Sequence, residues 1–185
     1  MKINLQRETL SVGPFEVNAS VLDIDGKAWI VDPGADEDRI LAVIAEKTLT
    51  PEAILLTHAH FDHIGAVNGL MRRFPELKVY VGDADVAVIT HPMNQLPPDY
   101  PPAELPANIV SATELDGSNG ILAIETPGHT PGGGCYFIGE INGLEPLLLA
   151  GDTLFAGSVG RTDLPGGDIN EELRSILRIC KLPGE

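Results

Sequence analysis

The run Thr57-His58-Ala59-His60-Phe61-Asp62-His63 sets three of the chain's five histidines and a carboxylate within six positions. It follows directly on the apolar segment Ala53-Ile54-Leu55-Leu56, so the cluster belongs to a strand end. Imidazole nitrogen and carboxylate oxygen are the donors that a borderline-soft divalent ion such as zinc takes. A polar turn of solvated histidines has no need of so many. Two further segments repeat the arrangement. Thr126-Pro127-Gly128-His129-Thr130-Pro131-Gly132 places a fourth histidine in a turn behind the strand-like residues 121–125, and Leu147-Leu148-Leu149-Ala150-Gly151-Asp152 ends another apolar run in an acid. Singly, His129 reads as a turn histidine and Asp152 as a turn former or helix N-cap. Together, three strand ends bearing ligand-type side chains point to a bound metal that does chemistry.

The elements that must position these groups follow from periodicity. Residues 16–24 and 27–31 read as strands joined by the hairpin signal Asp25-Gly26, and Asp32-Pro33-Gly34 ends the second. Residues 36–46 carry Ile40, Leu41, Ile44 and Ala45 at helical spacing, with acids in the first turn. A short buried strand over 53–56 leads into the histidine cluster, and residues 65–74 read as a helix. A strand at 78–81 and a helix over 83–90 repeat the rhythm, and a last helix is expected over 169–180. Hairpins first and β-α units afterwards suit two packed sheets flanked by helices. Residues 92–106 hold six prolines, which excludes helix and central strand. That stretch is either a stiff surface loop or a wall of the metal cleft, with Met93, Leu96, Tyr100 and Leu105 shaping access.

At these residues the chain resembles the metallo-β-lactamase superfamily, and more narrowly its glyoxalase II-like hydrolases, over about residues 15–183. The His-x-His-x-Asp-His element carries most of the resemblance, strengthened by the order of the Pro-Gly-His-Thr turn, the Gly-Asp-Thr acid and Gly160-Arg161-Thr162-Asp163. The resemblance implies an αββα sandwich with a two-metal cleft at one edge. It implies a first metal on His58, His60, His129 and Asp152, and a second on Asp62, His63 and the shared Asp152. It also implies one more histidine, in a Pro-Gly-His-Gly-like turn beyond the last helix. Only Lys181-Leu182-Pro183-Gly184-Glu185 follows that helix, so the expected fold lacks its C-terminal strand and the second site is incomplete. His91, ahead of Pro92, reads as a surface histidine. Asp32 is either a turn former or an acceptor behind the site. Arg161 either anchors a substrate anion or pairs with a neighbouring acid.

The bulk composition narrows the partners. With 12 Lys plus Arg against 27 Asp plus Glu, a net charge of −15 repels phosphate backbones and anionic membranes. Two cysteines without framework spacing suit a reducing compartment, and no stretch reaches the length of a membrane span. The expectation is one cytoplasmic domain over 1–185, with a small-molecule substrate and a sheet edge open to homo-oligomerisation. Cys135 reads as a buried small hydrophobe. Gly132-Gly133-Gly134 lacks the Gly-Lys-Ser/Thr ending of a phosphate loop.

The resemblance implies hydrolysis of an acyl thioester by metal-bound hydroxide, with Asp62 also orienting that hydroxide. Zn2+ is the expected ion, one or two per chain, with iron or manganese as substitutes. Two rivals stand beside it. A persulfide dioxygenase would need one iron on His58, His129 and Asp152. A non-catalytic metal-binding module would need only the incomplete site. The C-terminal domain with which glyoxalase II binds glutathione has no counterpart here, which weakens the claim to that one substrate.

Overall fold

The structure is a computed structural model that describes residues 4–98, 100–140 and 145–182. Its larger sheet holds β1 (Leu5–Val12), β2 (Val17–Ile24), β3 (Lys27–Val31), β4 (Thr50–Leu55), β5 (Lys78–Val81) and β6 (Ile109–Ser111) in chain order across the sheet. β1, β2 and β3 pair antiparallel, whereas β3 to β6 run parallel. Antiparallel neighbours need only a tight turn, and Asp25-Gly26 supplies one at positive φ. The parallel pairs need crossovers. Those are α1 (Glu37–Glu46) between β3 and β4, then α2 (Phe61–Ile64) and α3 (Val67–Arg73) between β4 and β5, and α4 (Val86–Ile89) before β6.

Period-2 alternation sends the strands' side chains to two separate cores. Ala19, Val21, Ile30, Ile54, Val79 and Val81 face the helices and pack with Ile40, Ile44, Val67 and Leu70. Leu22, Trp29, Val31, Leu55 and Tyr80 face the other way. They meet a three-stranded antiparallel sheet of β7 (Leu122–Glu125), β8 (Gly134–Ile138) and β9 (Leu147–Leu149). Tyr136 of β8 is buried between the sheets, and its hydroxyl donates to the Leu56 carbonyl at 2.8 Å. A hairpin of β10 (Leu154–Phe155) and β11 (Ser158–Val159) follows β9. α5 (Ile169–Ile179) then packs beside the loop after β7, its Asp168 N-cap accepting from the Asn170 and Glu171 N–H groups. The result is the expected helix–sheet–sheet–helix order.

Two expectations shift. The helix expected over 65–74 begins earlier, at Phe61, and breaks into two pieces, because the Ala66 N–H turns to the Pro33 carbonyl at 2.9 Å. β1 was not foreseen, since its exposed side chains Gln6, Arg7, Thr9 and Ser11 are polar and lie on both faces, which breaks the apolar alternation. Residues 183–185, which bear on the expected missing strand, lie outside the described residues.

Candidate metal centre

The ligand-type side chains sit where strands of both sheets end. His58 and His60 leave β4, and α2 starts at once, carrying Asp62 and His63 in its single turn. His129 lies in the loop between β7 and β8, and Asp152 in a 3-10 turn, Gly151–Thr153, after β9. Positions up to 94 residues apart thereby share one rim. One set of ligand atoms within 4.8 Å of one another is His58, His60 and His129; a second is His58, His63 and Asp152. His60 Nδ1 and His129 Nε2 stand 3.0 Å apart, and Asp152 reaches both His63 Nε2 (3.3 Å) and His129 Nε2 (3.7 Å). Asp62 stands slightly back, its Oδ2 3.9 Å from His63 Nε2. His58 is central rather than confined to one side: its ring lies 4.1 Å from His63, against 4.9 Å from His60 and 4.7 Å from His129.

Three buried carboxylates hold this arrangement from behind. Asp32, at positive φ after β3, accepts from the Thr57 N–H (2.8 Å) and hydroxyl (2.7 Å) and lies 3.2 Å from His63 Nδ1. The acceptor reading of Asp32 is therefore the right one. Asp85 accepts from the Ala59 N–H, the Thr130 hydroxyl and the Gly132 N–H at 3.0, 2.8 and 2.6 Å, joining the His58–His60 strand end to the His129 loop. Glu172 of α5 accepts from the His129 N–H at 2.8 Å. Neither Asp85 nor Glu172 stood out in the sequence, because an acid inside a helical pattern looks like a solvated face. Two glycines allow the close approach. A Cβ at Gly151 would lie 2.1 Å from Thr57 Oγ1, and one at Gly128 would lie 2.3 Å from the Glu172 backbone; both have positive φ.

Burial, helped by the charges of its histidine neighbours, pushes His58 well below the ordinary imidazole value; the same causes bring His60 down to about 4. Burial acts on His63 too, but Asp32 and Asp152 overcome it and raise that ring to about 10. Asp152 is likewise opposed by burial, yet the histidines, His63 first, hold it below the usual carboxylate range. Burial raises Asp62. The site thus has two neutral imidazoles, His58 and His60, on one side and, on the other, His63 flanked by carboxylates that favour its charged form.

The donors fit a divalent metal. His58 Nε2 is buried with no hydrogen-bond partner, a costly condition that an ion would relieve. His129 Nδ1 donates to the Arg161 carbonyl at 2.7 Å, which leaves Nε2 as the ligand atom, the usual way a protein aims a metal-binding imidazole. Arg161's guanidinium turns away into a two-pronged pair with Asp163 at 2.7 and 2.9 Å, so its pairing role is the one observed. Cys135 is buried, and burial raises its thiol to about 11, which excludes it as a nucleophile.

A cleft of about 580 Å3 opens over His60, Asp62, His129 and Asp152. His91 and Met93 line it, so this exposed histidine is also part of the site's wall. The proline-rich stretch divides its work. Met93 faces the metal cleft, buried Asn94 lies between the two spaces, and Tyr100 with residues 101–104 borders a second cavity of about 370 Å3 behind Phe61.

The Metallo-beta-lactamase superfamily profile matches residues 12–185, and the chain belongs to that superfamily. It is 38% identical to the probable metallo-hydrolase YqgX of Bacillus subtilis, over 90% of this chain and 80% of that protein. It is 34% identical to a hydroxyacylglutathione hydrolase of Citrobacter koseri over 87% of this chain, but spans only 55% of that enzyme's length. Among solved structures, TTHA1623 in a di-iron-bound form superposes with a TM-score of 0.82 at 33% identity, covering 95% of this chain and 87% of that one. The BLEG-1 B3 metallo-beta-lactamase superposes at 0.83 with 35% identity, covering 96% and 87%. Superfamily and site together define a metal-dependent hydrolase. Among the described residues, no helix is long and apolar enough to cross a membrane.

Proposed function

We propose that the chain hydrolyses acyl thioesters at a metal centre held by His58, His60, His129 and Asp152, with a weaker second position at Asp62, His63 and Asp152. The observation that carries the reading is the convergence of four imidazoles and Asp152 on the floor of an open cleft. When bound, a divalent ion supplies Lewis acidity and brings the pKa of its water down to about 7. The protein's part is to hold the imidazoles in place through Asp32, Asp85 and Glu172, and to keep Asp62 at the open side, where it would orient attacking water and accept its proton. A thiolate is a good leaving group, so water attack at the acyl carbon needs no covalent intermediate on the chain. The hydroxyacylglutathione hydrolase relative supports an acyl thioester as the substrate class, and zinc is the ion this donor set suits best. The di-iron form of TTHA1623 supports iron as a substitute. The fold and the metal positions would form one domain over 1–185, acting in the cytoplasm.

The test is to purify the chain without chelator, measure metal per chain by mass spectrometry, and assay a panel of acyl thioesters that includes S-lactoylglutathione. His58→Ala and Asp152→Ala should each abolish turnover. Persulfide-dependent oxygen uptake in place of thioester cleavage would show a dioxygenase, and cleavage of a β-lactam alone would match BLEG-1 instead. Tight metal binding with no turnover of any kind would leave only a metal-binding module.

A further inference from the structure

The walls of the cleft are apolar, and they come from four separate parts of the chain. Phe15, in the turn between β1 and β2, is 51% exposed and rests against Phe61 of α2, ring centroids 5.5 Å apart. Val88 of α4 and Met93 after it line the same space, Met93 being 68% exposed, and Leu164 and Pro165 join them from the loop before α5. Large exposed apolar side chains gathered around one cavity leave a surface that a ligand would cover.

The polar groups of the lining, outside the metal cluster, are already engaged. Asn94 is buried and turned inward: its Oδ1 accepts from the Phe61 N–H at 2.7 Å and its Nδ2 donates to the Ala59 carbonyl at 2.7 Å. Arg161, the one cation among the described lining residues, is neutralised by both oxygens of Asp163. His91 Nδ1 accepts from the Met93 N–H at 3.2 Å, so that nitrogen is engaged as well. Apart from the metal itself, an anionic ligand would find no unpaired Lys or Arg among the described lining residues, and a net charge of −15 opposes its approach.

We infer that this cleft selects uncharged thioesters with an apolar chain, which lies along Phe15 and Met93, and that it discriminates against thioesters of carboxylate-bearing thiols such as glutathione. The inference rests on the thioester reading above and names the substrate class for that same site. In the reaction, water adds to the acyl carbon, the C–S bond breaks, and a proton from that water ends on the departing thiolate, giving a carboxylic acid and a neutral thiol. The acid ionises at neutral pH, and the same acidic surroundings that repel anionic substrates favour its release.

Two measurements on the zinc-loaded chain test this. The first is calorimetric binding of two non-hydrolysable thioethers with the same apolar chain, S-hexyl-N-acetylcysteamine and S-hexylglutathione. The neutral compound should bind at least about tenfold tighter, and Met93→Asp should weaken it by about that factor with metal content unchanged. Equal or tighter binding of S-hexylglutathione, or binding of neither compound, overturns the inference. The second is kcat/KM for S-hexanoyl-N-acetylcysteamine against S-lactoylglutathione. A preference for S-lactoylglutathione overturns the inference and leaves the hydrolase reading intact. Cleavage of neither, with the binding preference retained, removes the hydrolase reading while the cleft keeps its assigned ligand class.

Discussion

Two imidazole environments share the floor of the cleft. In one, His58, His60 and His129 face each other, and burial with mutual repulsion keeps His58 and His60 neutral. In the other, His63 lies between Asp32 and Asp152, and the carboxylates overcome its burial and favour its charged form. The same residue type, five positions along the chain, is thus set to opposite charge states by its neighbours. The lesson concerns division of labour. The first group is rich in neutral nitrogen donors and poor in charge, which suits direct ligation; the second has one imidazole and relies on carboxylates. His58, whose ring contacts both, couples them.

That contrast can be broken most severely at its shared member. His58→Ala should remove metal from both groups and lower thioester turnover more than about 100-fold, beyond the range for losing a supporting partner; metal analysis with steady-state kinetics checks it. Retention of one full equivalent of metal would show that His58 does not couple the two groups. Next in size is the buttress. Asp32→Ala leaves every proposed ligand in place but frees Thr57 and His63, so metal affinity should fall about 10–100-fold, read by competition with a chromogenic chelator. The two groups should also differ in occupancy. We expect the 185-residue chain to carry nearer one metal than two, with His63→Ala removing the fraction above one and sparing most of the rest. Two tightly held ions per monomer would contradict the asymmetry.

Smaller effects test the support around the site. Asp85→Ala strands the Ala59 and Gly132 N–H groups and the Thr130 hydroxyl, and should cost about 2–4 kcal/mol of stability, visible as a lower Tm in the metal-free chain. The mildest probe leaves the protein native. A thiol reagent at pH 8 should modify exposed Cys180 and spare Cys135, which is buried and raised to about 11. Labelling of both at similar rates would mean that the core beneath Thr126 and Thr153 opens readily.

Much of the framework could be read directly. The strands at 27–31 and 78–81 match β3 and β5 to the residue, and α5 falls within one position of its expected end. These segments are bounded by glycine, proline or capping residues, so local chemistry marks their limits. β1 and β6 were missed because short or half-polar edge strands owe their conformation to the neighbour they pair with. The division of the 61–73 region into α2 and α3 was also hidden, since it depends on a hydrogen bond to Pro33.

For the site, the sequence alone determined which residues are chemically suited to a metal: His58, His60, Asp62, His63, His129 and Asp152 announce themselves by donor type and by their place after apolar runs. Their neighbours in space were another matter. That Asp32 rather than solvent faces His63, that Asp85 and Glu172 clamp the His129 loop, and that Arg161 contributes its carbonyl while its guanidinium turns to Asp163 were decided only when the two sheets closed on each other. The physical reason is that ligand character is a property of a single side chain. Charge state, orientation and solvent exclusion are properties of the groups packed around it, and those groups come from strands and helices far apart in the chain.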